Sequence, residues 1–237
     1  MYPYTNLVIA IPHAVGCPAE YDWSGNTKVV SRQARFTDWH TDKLFASSME
    51  NVTVVLCPFS RLDVDVERLE HEPDRICNFW NFRQGTMPYP TNAQTNRRLA
   101  EWFRYRAELL LAASRGERPL LLDCHSFSCD LAPDVDVCLG YNDDSSRPLA
   151  EDIKGVSDIF RDRGYVVAHN RPYANAIAPE GYRGHSLMIE VNKRCYLDTE
   201  ERSLGGGFDY LRQTLEELYC ILLGRDNKKD SKKNSQK

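Results

Sequence analysis

Apolar residues in this chain fall into two alternating kinds of segment. Six short runs, Leu7 to Ile11, Val52 to Leu56, Leu120 to Cys124, Val135 to Leu139, Tyr165 to Ala168 and Ser186 to Val191, are β-branched or leucine-rich and bounded by polar residues, Gly or Pro, as buried strands are. Among them lie three longer segments whose apolar residues recur at three and four. These are Thr95 to Ser114, with Leu99, Trp102, Phe103 and Leu110; Ala150 to Arg163, with Ile153, Val156 and Phe160; and Phe208 to Leu223, with Leu211, Leu215, Leu218 and Leu222. Such alternation predicts one α/β domain of three layers, a mixed and mainly parallel sheet covered by helices. The stretch Glu70 to Thr91 breaks the pattern. It holds four aromatics and three prolines without a period, which reads as a long functional loop or lid.

Length and charge narrow the picture. At 237 residues the chain suits one core, and no apolar run approaches the roughly 20 residues that span a bilayer, so a membrane protein is not expected. The start, MYPYTNLVIAIPH, lacks a basic n-region and reads as a first strand, not a signal peptide. The net charge of −4 is unevenly spread: residues 225–237 hold six Lys/Arg and two Asp, a net +4, which leaves −8 on residues 1–224. We therefore expect a folded domain over 1–224 with a basic, solvated tail over 225–237, and the acidic body argues against a nucleic-acid partner. The eight cysteines are scattered singly through apolar segments with no CxxC pair, which predicts free thiols and a cytoplasmic protein.

Six histidines are the scarce chemical resource. His13 and His125 each stand just past an apolar run, and ligands of open α/β sheets bind outside the carboxyl ends of the strands. The segment RFTDWHTDKLF adds Asp38, His40 and Asp42. It predicts a helix start with Thr37 or Asp38 as N-cap, and it also offers an oxygen ligand for a His/His/carboxylate zinc site with an open position for water. Glu190, between Ile189 and Val191, has two readings: a general base in a buried strand, or a solvent-facing residue on an edge strand. Leu62 to Val66 alternates apolar and acidic residues like a half-exposed strand, flanked by Arg61 and Arg68, whose guanidinium groups suit a substrate carboxylate or an oxyanion.

These pieces, in order along nearly the whole chain, resemble the N-formylglutamate amidohydrolase family. The resemblance rests on IAIPHAV, FTDWHTDKLF, FSRLDVDVER, LLLDCHSF, DVCLG, NRPYAN and MIEVNKRCYLD. It implies a zinc carboxypeptidase-like fold, one zinc ion and a small N-acyl amino acid substrate such as N-formylglutamate. It further implies His13, Asp38 and His125 as metal ligands, Glu190 as general base, Arg61 at the oxyanion, and Arg68 and Asn170 at the substrate. Three positions depart from the family pattern: Glu67 stands for Asn, Val15 for Gly with Gly16 one later, and Ala174–Asn175 for Gly-Gly. A carboxypeptidase for small acidic peptides and a non-catalytic binder of acidic ligands stay open beside this reading.

Overall fold

The computed structural model describes residues 3–16, 36–69, 71, 76 and 91–225. Each predicted apolar run becomes a strand: β1 (Asn6–Ile11), β2 (Val52–Leu56), β3 (Pro119–Phe127), β4 (Val137–Gly140), β5 (Val167–His169) and β6 (His185–Asn192). They form one sheet in the order β2-β1-β3-β6-β4-β5. Strands β2, β1, β3 and β6 run parallel; β4 turns antiparallel against β6, and β5 runs parallel to β4. The expected single α/β domain with a mixed, mainly parallel sheet is the fold observed.

The helices are α1 (Thr41–Leu44), α2 (Asn92–Ala113), α3 (Ala150–Asp162) and α4 (Phe208–Leu222), with a 3-10 turn at Lys193–Cys195. Helix α2 begins three residues before the periodic pattern because Thr91 and Gln94 form a capping box: Gln94 N donates to Thr91 Oγ1 at 3.3 Å and Thr91 N to Gln94 Oε1 at 2.8 Å. Period-2 alternation sends Leu7, Ile9, Ile11, Leu120, Leu122 and Cys124 to one face, where they pack with Leu44 and Phe45, with α3 through Ile153, Val156 and Phe160, and with α4 through Leu211, Leu215 and Leu218. Val8, Ala10 and Leu121 face the other way, against Trp102, Tyr105 and Leu109 of α2. The sheet is thus the middle of three layers.

Two local expectations change. The TDWHTD segment does not cap a helix with Thr37 or Asp38. Helix α1 starts at Thr41 behind His40, whose φ of 61° is left-handed and whose side chain makes no cap, while the Asp38 side chain is committed elsewhere. Nor is Leu62–Val66 a half-exposed strand. The chain turns there, and all five residues are buried, because the acids are neutralised inside: Asp63 pairs with Arg98, and Asp65 with His13, Arg61 and Arg68. The predicted lid over 70–91 falls outside the described residues apart from 71, 76 and 91, and the basic tail falls outside them apart from Arg225.

Candidate active site

On the α2 side of the sheet the strands change character towards their carboxyl ends. Along β3 the residues on that face run Leu121, Asp123, His125; along β6 they run Met188, Glu190. Residues His125 and Glu190 are register partners on adjacent parallel strands, so both side chains project side by side. Strand β3 continues to Phe127, two residues beyond His125, so this histidine is built on the strand itself and not on the loop after it. From the neighbouring strand, β1, the chain exits through Pro12 to His13. Asp38 is tied to that exit, its N–H donating to the His13 carbonyl at 2.9 Å.

These segments bring His13, Asp38 and His125 together, all buried, with one ligand atom from each lying within 4.8 Å of the others. His125 Nδ1 lies 3.0 Å from Asp38 Oδ2, and His13 Nδ1 lies 3.9 Å from the same oxygen. Each imidazole is backed by carboxylates on its far nitrogen. His13 Nε2 donates to Asp65 Oδ1 at 3.1 Å; His125 Nε2 lies 3.1 Å from Asp123 Oδ1 and 2.9 Å from Glu67 Oε1. With its proton on Nε2, His13 presents a bare Nδ1 that is buried and without a hydrogen-bond partner. An orphaned imidazole nitrogen facing a carboxylate and a second imidazole fits a divalent cation such as zinc, which would take the place of the His125 Nδ1 proton while the outer carboxylates keep both rings oriented. A second donor set, Glu67, Asp123 and His125, lies directly behind.

The electrostatics follow from crowding acids and imidazoles in a dry site. Burial would raise Asp38, but its hydrogen bond to His125 and the positive charges of His125 and Lys193 hold it below the usual carboxylate range. Burial likewise opposes ionisation of Glu67, yet His125 above all holds it at about 2. Asp65 sits well below the usual range: Arg61, His13 and Arg68 outweigh its desolvation. His125 is raised well above an ordinary histidine, since Glu67 and Asp123 overcome its burial. Glu190 goes the other way. Burial first, then Asp38, Glu67 and Asp123, push it up to about 8 against the pull of His125, and its Oε2 has no hydrogen-bond partner.

Arg61 and Arg68 converge at the edge of this cluster, Arg61 through Nη2 at 3.2 Å and Arg68 through Nε at 3.0 Å, both donating to Asp65 Oδ2. Asn170 stands apart. It is exposed at the end of edge strand β5 with a left-handed φ of 50°, and its Oδ1 accepts from the Tyr141 N–H at 3.0 Å. The segment after it returns to the site face: the Cys138 thiol, directly across from Glu190, donates to the Tyr173 carbonyl at 3.3 Å, and Ile177 N donates to Asp123 Oδ2 at 2.8 Å. Gly140 permits this crossing, because a Cβ there would come within 2.6 Å of the Asn175 carbonyl oxygen.

Four site residues escaped the sequence reading as functional groups. Asp123 carried the same signal as Glu190, an acid inside an apolar run, and period-2 spacing from His125 would have placed both on one face. Glu67 stood out only as a departure, and its contact with His125 puts it in the site. Asp65 was hidden in the acidic alternation. Lys193 is fully buried one residue past β6, its ammonium pulled below the usual lysine range by burial against the opposing fields of Asp38, Glu201 and Glu190; nothing in NKRC marked it.

The fold is shared with solved structures. A crystal structure of N-formylglutamate amidohydrolase from Ralstonia eutropha superposes with a TM-score of 0.76 at 22% identity, over 94% of each chain. The crystal structure of a gene product from Agrobacterium tumefaciens gives 0.63 at 17% identity, over 93% of this chain and 90% of that one. Both likenesses speak to the fold. Comparison with curated proteins finds none that matches. The family profile of N-formylglutamate amidohydrolase matches residues 5–197, and the chain belongs to that family.

Proposed function

We propose that the protein is a zinc-dependent amidohydrolase that cleaves the amide bond of an N-acyl amino acid, N-formylglutamate or a close relative, with His13, Asp38 and His125 holding the metal. Family membership supports hydrolysis of an amide by the chain. The single observation that carries the metal reading is the bare, buried Nδ1 of His13 turned towards Asp38 and His125. A zinc ion held there would supply Lewis-acid chemistry, activating water and polarising the scissile carbonyl.

The chain's own residues do the rest. Glu190, next to His125 on the adjoining strand, accepts a proton from the attacking water and delivers it to the departing amino nitrogen, as the C–N bond breaks and the new C–O bond leaves the acyl group as a carboxylic acid. Burial beside Asp38, Glu67 and Asp123 raises Glu190 in the metal-free site, and the positive charge of a bound divalent ion would lower it, so that the ionised carboxylate is the form that accepts the proton. Arg61 faces the oxygen that gains charge, and Arg68, less buried, holds the substrate carboxylate with a fork of N–H donors. Glu67, anionic and in contact with His125, sets a negative charge beside that carboxylate site. Asn170 is given no part.

Among the described residues no helix is long and apolar enough to cross a membrane. Six described cysteines are free thiols, which supports a reducing compartment such as the cytoplasm. The test is a substrate panel on the zinc-loaded protein: N-formylglutamate, N-formylglutamine, N-acetylglutamate and acidic dipeptides, with formate or free amine as the readout. Formate release from an N-formyl amino acid is the expected outcome. Hydrolysis of dipeptides alone would transfer the site to a carboxypeptidase.

A further inference from the structure

The buried carboxylate of Asp65 is shared by groups with different duties. Its Oδ1 accepts from His13 Nε2 at 3.1 Å and from the Glu67 backbone N–H at 3.3 Å; its Oδ2 accepts from Arg61 Nη2 at 3.2 Å and Arg68 Nε at 3.0 Å. A carboxylate offers about four lone-pair directions, so these four donors saturate it. The Asp65 backbone is fixed as well, its N–H donating to the Ile76 carbonyl at 2.9 Å and its carbonyl accepting from the Arg68 N–H at 3.3 Å. With a side chain wholly out of solvent, Asp65 has no water to substitute for a lost partner.

We infer that Asp65 is a positioning residue that locks the two halves of the site together, Oδ1 fixing the His13 tautomer that leaves Nδ1 open to the metal, and Oδ2 setting the bearing of both arginines towards the substrate. This rests on the roles proposed above for His13, Arg61 and Arg68. The two oxygens can be tested separately. In Asp65→Asn one carbonyl oxygen survives, and it turns to the His13 side chain, which is wholly buried, and to the Glu67 backbone N–H, while the amide NH2 confronts two guanidinium groups that are partly exposed. In Asp65→Ala both sides are lost.

The experiment measures the zinc dissociation constant by chelator competition, and kcat/KM on an N-formyl amino acid, for both variants and the wild type. Asp65→Asn should keep zinc affinity within about threefold yet lose about tenfold to hundredfold in kcat/KM, whereas Asp65→Ala should also weaken zinc by about 10- to 100-fold, the usual effect of removing a carboxylate behind a ligating histidine. Equal zinc loss in both variants, or an unchanged kcat/KM in Asp65→Asn, would overturn the inference. Should Asp65→Ala fail to fold, the NMR signal expected from the buried Nε2–H of His13 in the zinc-free protein decides: present in the wild type, it should persist in Asp65→Asn, and its absence from either would overturn the assignment equally. A wild type that hydrolyses no N-acyl amino acid would instead contradict the proposed function, and the zinc comparison between the variants would still decide the role of Oδ1.

Discussion

On the side of the sheet covered by α3 and α4, β3 presents Leu120, Leu122 and Cys124 and β6 presents Leu187, Ile189 and Val191, all apolar and all buried. On the α2 side the same strands present Leu121, Asp123 and His125, and Met188 and Glu190, equally buried. The first face is apolar from Leu120 to Cys124 and from Leu187 to Val191; the other changes halfway to ionisable groups whose desolvation must be offset by pairing. His125 and Asp123 are paired, and Glu190 is offset by staying protonated up to about pH 8. The first face holds the strands in register, and the second uses that rigidity to hold the cluster of acids and imidazoles in place. Stability and chemistry are therefore separable by substitutions one residue apart on β6.

The largest separation is expected at Glu190. Glu190→Gln keeps shape and removes the proton carrier, so kcat should fall by about 100- to 10,000-fold with zinc still bound, as measured by turnover and metal content on the same sample. Turnover near the wild-type level would exclude Glu190 as the base. Its neighbour gives the converse. Ile189→Ala opens a cavity on the apolar face and should cost about 2 to 5 kcal/mol in denaturant unfolding while leaving kcat/KM of the folded fraction nearly unchanged. A large loss of activity without destabilisation would show that the two faces are not independent.

Smaller effects sharpen the contrast within the site face. Arg68→Lys retains a charge but not the fork, so kcat/KM for N-formylglutamate should drop about tenfold to hundredfold, chiefly through KM. Glu67→Asn, which removes an anion beside that site, should raise the N-formylglutamate to N-formylglutamine ratio of kcat/KM; an unchanged ratio would remove Glu67 from substrate recognition.

The pH dependence of the zinc-free protein tests the same contrast through stability. Glu190 titrates near 8 when folded and near 4.5 when unfolded, so between those values the folded state binds the extra proton and its stability falls as pH rises. Glu190→Gln abolishes that slope. The difference in Tm between variant and wild type should therefore grow in favour of the variant from pH 5 to pH 8, and a constant difference would contradict the raised pKa.

The two faces were also unequally legible. Periodicity located every strand of the sheet and α2, α3 and α4 because burial of alternate or every third and fourth residue is a local property of the sequence. It also exposed Glu190, since an acid inside MIEVN has a visible cost. The partners of these groups were less visible. Asp65 and Lys193 act through contacts with residues far along the chain, and the alternating acids at 63 and 65 gave the signature of a half-exposed strand when they are buried ion pairs. Asp38 looked like a helix cap because a cap and a metal ligand of the proposed kind demand the same residue type. Only the tertiary position of His125 distinguishes them.

Zinc content tests the central claim most directly. After prolonged dialysis against chelator-treated buffer, wild type and Glu190→Gln should each retain one zinc per chain by elemental analysis, while His13→Ala and His125→Ala, still folded by far-UV circular dichroism, should retain little. Stoichiometric zinc in the histidine variants, or none in a correctly folded, zinc-reconstituted wild type, would contradict the assignment of a zinc centre to the carboxyl-end half of the α2 face.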